Sequence, residues 1–246
     1  SAPVQGAPAA EDRTILRVLD VATPGSPHEV VGVRTDVLET GEDVAVSSGL
    51  ACVLVGSPTD VLRVYDVSPP EQASALGEVE LPFTNGGLRA LGRDGPRAAL
   101  ATDNAVTLVD LADPLSPRLA GTVPFADWEI WDVEALGGYA YVVDRRFGLR
   151  IVDAGDPFQA RHVGDAALPH ARLEAVAVAD VGGPGVAGQS QVRRLAYAVG
   201  SDRLVILDAT DPATPHEIGS VAVAGAGRDI AVVGDHAYVA AYDKGL

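Results

Sequence analysis

Apolar residues recur along the chain in short runs broken by Gly, Pro and Asp, and no stretch holds a helical period for ten residues. Runs of this length between turn-forming residues predict β-strands throughout. One run appears five times, as LRVLDV (16–21), LRVYDV (62–67), VTLVDL (106–111), LRIVDA (149–154) and LVILDA (204–209). A Pro- and Asp-rich turn follows each: ATPGSP, SPPEQA, ADPLSP, GDPFQA and TDPATP. Proline fixes φ and removes a donor, so the strand must stop and the chain reverses. A further strand follows with a small residue near its centre, as in HEVVGV, SALGEVEL, RLAGTV, RHVGDAAL and HEIGSVAV. Segments such as DVAVSSGLACVLVG, DVEALGGYAYVVD and DIAVVGDHAYVAAYD supply two more strands per unit. The unit is a four-stranded antiparallel sheet.

The marker aspartates Asp20, Asp66, Asp110, Asp153 and Asp208 are separated by 46, 44, 43 and 55 residues, a period typical of propeller blades. The longer fourth interval holds the Gly-rich stretch 179–192, expected to be a loop inserted between the first and second strands of one unit. Third and fourth strands are present near the N-terminus without a first and second, and the last unit stops where its third strand should begin. Pairing the N-terminal strands with the C-terminal ones would complete a fifth blade and remove two sheet edges. The expected fold is therefore all-β: a five-bladed β-propeller over 14–246, closed by the N-terminal strands, with 1–13 as a flexible linker. A fragment of a longer propeller or open array is the alternative.

The pattern GxDVxVxGxxAYVAxxxxGLxIVDxSDPxxPxxVG, most complete over 132–164 and 204–246, resembles the LVIVD-repeat propellers of bacteria and archaea. The second unit departs most, with Arg89 where the others carry an acid. The resemblance implies an exported or cell-surface setting, and it brings no catalytic residues with it.

Composition narrows the partners. Acidic residues number 34 against 18 basic ones, giving a formal charge of -16, which disfavours nucleic acid and anionic lipid surfaces. No apolar run approaches a membrane-helix length of about 18 residues. The single Cys52 excludes an intrachain disulfide and reads as a small buried hydrophobe. The Ala- and Pro-rich opening has the composition of a linker following a cleaved export signal or joining domains.

In a propeller the first strand of each blade lines the channel, and the turns from fourth to first and from second to third strands share one face. Aligned across units, the channel-entry residues are Asp43, Arg89, Asp132, Glu174 and Asp229. An outer set on the same face is Asp60, Asp103, Asp144, Asp202 and Asp243. The four entry acids are candidate calcium ligands or receivers of a basic group; alternatively, recurring in every unit but one, they cap local backbone donors. Trp128 and Trp131, in PFADWEIWD, are candidate anchors for a sugar or protein, with Trp131 equally able to plug the channel. Thr84, Asn85, Arg145, Arg146, His170, Arg172 and Arg228 add donors to this face. The five histidines lack metal-ligand spacing, and no GxSxG, HExxH or Ser/His/Asp arrangement is present.

The expected function is a non-enzymatic binding or scaffold module outside the cytoplasm, recognising a protein or glycan at the channel mouth. One alternative is a propeller glycoside hydrolase using Asp43, Asp132, Glu174 and Asp229, although carboxylates in one repeat slot lack the contrasting environments that such catalysis needs. Another is a structural bead in a self-associating surface assembly.

Overall fold

The computed structural model describes residues 14–34, 40–56, 60–82, 87–102, 104–126, 129–168, 171–184 and 190–242. An N-terminal pair, β1 (Thr14–Asp20) and β2 (His28–Arg34), comes first. Four four-stranded sheets follow: β3 (Thr40–Ser47) to β6 (Ser74–Glu80) through β4 (Leu50–Gly56) and β5 (Val61–Asp66); then β7 (Leu88–Asp94), β8 (Arg97–Thr102), β9 (Ala105–Asp110) and β10 (Arg118–Pro124). The third comprises β11 (Ile130–Leu136), β12 (Tyr139–Asp144), β13 (Gly148–Asp153) and β14 (Arg161–Ala167). The fourth comprises β15 (Leu173–Pro184), β16 (Ser190–Gly200), β17 (Arg203–Asp208) and β18 (His216–Ala222), and a C-terminal pair, β19 (Gly227–Val233) and β20 (His236–Ala241), ends the chain. Each sheet is antiparallel in sequence order, and the inner strands β3, β7, β11, β15 and β19 pack each against the next.

The core lies between sheets rather than within one. Cys52, Leu54 and Leu62 of the first sheet meet Leu91, Leu100 and Val109 of the second. Leu108 and Val106 of the second meet Ile130, Val142 and Val152 of the third, whose Tyr141, Leu149 and Ile151 meet Leu173, Val205 and Leu207 of the fourth. Both faces of a middle strand are therefore covered, which is why β4 and β12 are buried almost end to end and read as continuous apolar runs without alternation. The N-terminal pair packs Ile15, Leu16 and Val33 on Val53, Val55 and Tyr65, and the C-terminal pair packs Ile230 on Val199 and Leu204.

Two local devices repeat. The marker aspartates each accept a hydrogen bond from the N–H two residues on: Asp20 from Ala22, Asp66 from Ser68, Asp110 from Ala112, Asp153 from Gly155 and Asp208 from Thr210, at 2.7–3.1 Å. They shape the turns rather than gather a ligand. The small residue of the fourth strand permits sheets to approach: a Cβ on Gly77 would lie 2.7 Å from Pro114 O, and one on Gly121 2.7 Å from Pro157 O. Pro212 O occupies the same place beside Gly164, whereas nothing stands within 4 Å of Gly219.

Two expectations are modified. The long insertion is largely an extended β15–β16 hairpin, with Asp180 paired to Arg194 and Val181 to Arg193, because antiparallel pairing continues past the usual turn. The terminal strands form two separate two-stranded sheets.

Candidate functional site

The inner strands begin at the mouth, where Asp43, Asp132 and Glu174 are held by groups of a neighbouring sheet. Asp43 accepts from Val44 N–H at 2.7 Å and from Leu91 N–H of the second sheet at 2.8 Å. Asp132 repeats the arrangement, accepting from Val133 and from Val176 of the fourth sheet, both at 2.8 Å. Asp229 accepts from Ile230 N–H at 2.8 Å and is exposed. Asp43 and Asp132 thus each join two adjacent inner strands by satisfying a backbone donor in both.

Burial raises the Asp43 carboxyl above its ordinary range and pushes Asp132 up to about 6, the backbone donors opposing that shift. Glu134, two residues further along β11, is pushed up to about 7 by burial, reinforced by Asp132, Asp43 and Asp94. Glu134 was not evident from the repeat. Its signal is an acid where β7 has Leu91 and β15 has Val176, at the place aligned by Arg89, Asp132 and Glu174.

Glu174 differs from the other entry acids. Its side chain is 3% exposed and is bound by Arg145, which lies beside its Oε1, and by Arg228, whose Nη1 is 3.1 Å from Oε2. Arg145 also covers the Trp131 ring, 4.3 Å from its centroid, while Arg89 approaches the same ring at 5.1 Å. Trp131 is half-buried and packs against the core between the third and fourth sheets. Arg228 in turn lies 5.0 Å from the Tyr242 ring. The mouth is thus an aromatic and guanidinium cluster seated on a buried carboxylate.

Of the outer acids, Asp144 is fully buried, accepting from Arg146 and Phe147 N–H at 2.9 and 3.1 Å and from Arg150 Nε at 3.1 Å. Arg150 lies 4.3 Å from Phe147 and 5.0 Å from Phe125. Asp202 is exposed and Asp60 half-buried. Arg146 faces Glu129 at 3.3 Å, and Arg172 is exposed with a left-handed φ of 44°. Trp128, Asp103, Asp243, Thr84, Asn85, His170 and the linker 1–13 lie outside the described residues.

The calcium set drawn from the repeat is not assembled. Among the described residues no three His, Cys, Asp or Glu side chains gather where they could hold a metal ion. The reason is visible in the contacts: Asp43 and Asp132 face backbone donors of two strands, and Glu174 faces two guanidinium groups. Cys52 is buried, and burial pushes its thiol up to about 11. Among the described residues no helix is long and apolar enough to cross a membrane.

No curated protein matches the chain. Among solved structures, the computationally designed Ika8 protein is 11% identical with a TM-score of 0.56, covering 88% of this chain and 72% of that one. The designed Ika4 protein is 11% identical with a TM-score of 0.50, covering 68% of this chain and 91% of that one. A chain of the Mitotic Checkpoint Complex is 16% identical with a TM-score of 0.55, covering 85% of this chain and 58% of its own length. At these identities the likeness bears on the fold alone, which is propeller-like. The LVIVD repeat model matches residues 129–159, 196–223 and 224–246, covering β11 to β13, the end of β16 with β17 and β18, and the C-terminal pair. Over these three stretches the chain carries LVIVD repeats, within an all-β, propeller-like architecture.

Proposed function

We propose that the chain is a non-enzymatic recognition module, exported or displayed at a cell surface, whose propeller closes into five blades and binds a protein or glycan at its mouth. The observation that carries the binding reading is Trp131 held between Arg89 and Arg145, with Arg145 and Arg228 fixed by the buried Glu174. An aromatic ring and guanidinium groups fixed in advance lose little entropy on binding, which suits recognition. The setting outside the cytoplasm rests on the LVIVD resemblance.

Closure is supported by what the two terminal pairs leave unfilled. β1 and β2 are joined by a Pro turn at 22–27, the counterpart of the turns that meet Gly77, Gly121 and Gly164, and Gly219 is a fourth-strand glycine with nothing opposite among the described residues. Among the described residues Asp229 accepts from no cross-sheet donor, and the equivalent donor in the first sheet is the N–H of Ala45. Tyr238 and Val233 of the C-terminal pair, and Leu19 and Val21 at the end of the N-terminal pair, are exposed apolar groups that closure would cover. Setting β1 against β20 fills all three places at once.

The acids favour structure over hydrolysis, since the entry carboxylates are occupied by strand donors and arginines rather than held apart as an acid and a base. Arrays of purified glycans and peptides probed with the chain and with Trp131→Ala test the reading. Saturable binding lost in Trp131→Ala, with the β-sheet fold retained by circular dichroism, supports it. Binding indifferent to that change contradicts it, and turnover of arabinan or xylan abolished by Asp132→Asn would replace it with the hydrolase. Light scattering separates closure within one chain, which leaves a monomer, from a self-associating structural bead.

A further inference from the structure

The turn face opposite the mouth carries a cavity of about 200 Å³ between the third and fourth sheets, lined by Tyr139, Tyr141, Asp180, Arg194, Thr210 and Pro212 among others. It exists because of the extended hairpin. Arg194, one residue before the Leu195 that pairs with Asp208, stands where the shorter hairpins have turn residues: Gly49, Pro96 and Gly138. The longer β15 and β16 carry a paired guanidinium and carboxylate to this point.

The polar groups are set in a defined order. Arg194 Nε and Nη2 donate to the two oxygens of Asp180 at 2.7 Å each, and Nη1 donates to Leu136 O at 3.2 Å. One N–H on each Nη remains. The Thr210 hydroxyl is committed, donating to Asp208 at 2.6 Å and accepting from Arg194 N–H at 3.1 Å. The Tyr141 hydroxyl is not: the residue is fully buried, and its oxygen makes no well-formed hydrogen bond, the Arg194 guanidinium beside it being directed to Asp180 and Leu136. A buried hydroxyl is costly to leave unpaired, so its place beside a cavity points to an occupant that pairs with it.

We propose that this cavity binds a neutral polyhydroxylated ligand of about one sugar ring. The Asp180–Arg194 pair balances its own charge, so an ionic ligand would bring an uncompensated charge into a half-enclosed site. A vicinal diol meets every remaining need: one hydroxyl donates to Asp180, and the other accepts from Arg194 and from the Tyr141 hydroxyl. Tyr139 and Pro212 supply apolar surface for the ring. The volume is below the roughly 300–1,000 Å³ of sites for drug-sized ligands, which limits the occupant to a single ring. The site goes beyond the mouth reading and does not depend on it.

Calorimetric titration of the full chain with glucose, galactose, mannose and arabinose, with succinate as an acidic control of smaller size, tests the assignment. At least one sugar should bind saturably, and Tyr141→Phe should weaken it by about tenfold, the loss of one hydrogen bond. Trp131→Ala should leave that affinity unchanged. Without ligand, Tyr141→Phe should melt close to the wild-type temperature, because only a poorly aligned contact with Arg194 is lost. Absence of saturable heat with all four sugars, equal affinity in Tyr141→Phe, or preference for succinate would each overturn the proposal.

Discussion

Asp132 joins two sheets through one carboxylate: Oδ1 accepts from Val133 in its own strand and Oδ2 from Val176, 44 residues on, both at 2.8 Å. Removing it leaves two donors without partners in a half-buried place. Asp132→Ala should therefore destabilise the chain by about 1–3 kcal/mol in denaturant unfolding. Asp132→Asn, which keeps one acceptor oxygen, should lose less. A neutral Asp132→Ala would mean that this link does not hold the sheets together.

The same burial gives stability a pH dependence of definite sign. Asp132 and Glu134, ordinarily at 3.8 and 4.5, are pushed up to about 6 and about 7 in the fold. The folded state thus holds protons that the unfolded chain has released, so their contribution is full below about 4 and declines as pH rises to about 7. Asp208, lowered to about 2 by Thr210 and Arg193 against its own burial, acts oppositely, its stabilisation being lost as pH falls from about 4 to 2. Urea unfolding across this range should show a maximum on the acid side, and Glu134→Gln should flatten the decline above it. A rise in stability between about pH 5 and 7 would contradict the arrangement.

Arg145 has two tasks, neutralising Glu174 and covering Trp131. Arg145→Ala leaves the buried Glu174 with Arg228 alone and should cost about 3 kcal/mol. Adding Glu174→Gln should recover part of that cost, since the buried charge is then removed. The coupling in this double-mutant cycle is the readout, and additive effects would show that the pair does not interact.

Asp144 is the most enclosed carboxylate among the described residues, at 0% exposure with three donors directed at it. Asp144→Ala strands Arg150 between Phe125 and Phe147 and should destabilise by about 3–5 kcal/mol. Asp202→Ala, at an exposed position of the same repeat slot, should change stability by less than about 0.5 kcal/mol. Thermal unfolding of the two variants checks the contrast.

The strands and turns were legible because the marker motif joins an apolar run to an Asp cap and a Pro stop, all local chemistry. The recurrence of Asp43, Asp132 and Asp229 was legible too, and capping of backbone donors was one of its two readings. The donors themselves were not, because Leu91 and Val176 come into reach only when separate sheets pack. Reading 179–192 as a loop followed from its glycines, yet pairing of Asp180 with Arg194 carries the hairpin onward and creates the lower cavity. The sequence does not single out Tyr141, whose hydroxyl is left without a well-formed hydrogen bond only by the packing around it. Glu134 departs from the repeat by a single acid, a signal recoverable by aligning units on their inner strands.

Ring closure underlies the proposed mouth, and Gly219→Ala measured beside Gly164→Ala tests it most directly. Gly164→Ala must collide with Pro212 O and should cost about 1–3 kcal/mol. If the turn at 22–27 docks on Gly219 in a closed five-bladed ring, Gly219→Ala should destabilise by a similar amount. If that position faces open space, the same change should leave stability unaltered or raise it by about 0.5–1 kcal/mol, as Ala replaces Gly in a strand, and the closed ring would be contradicted.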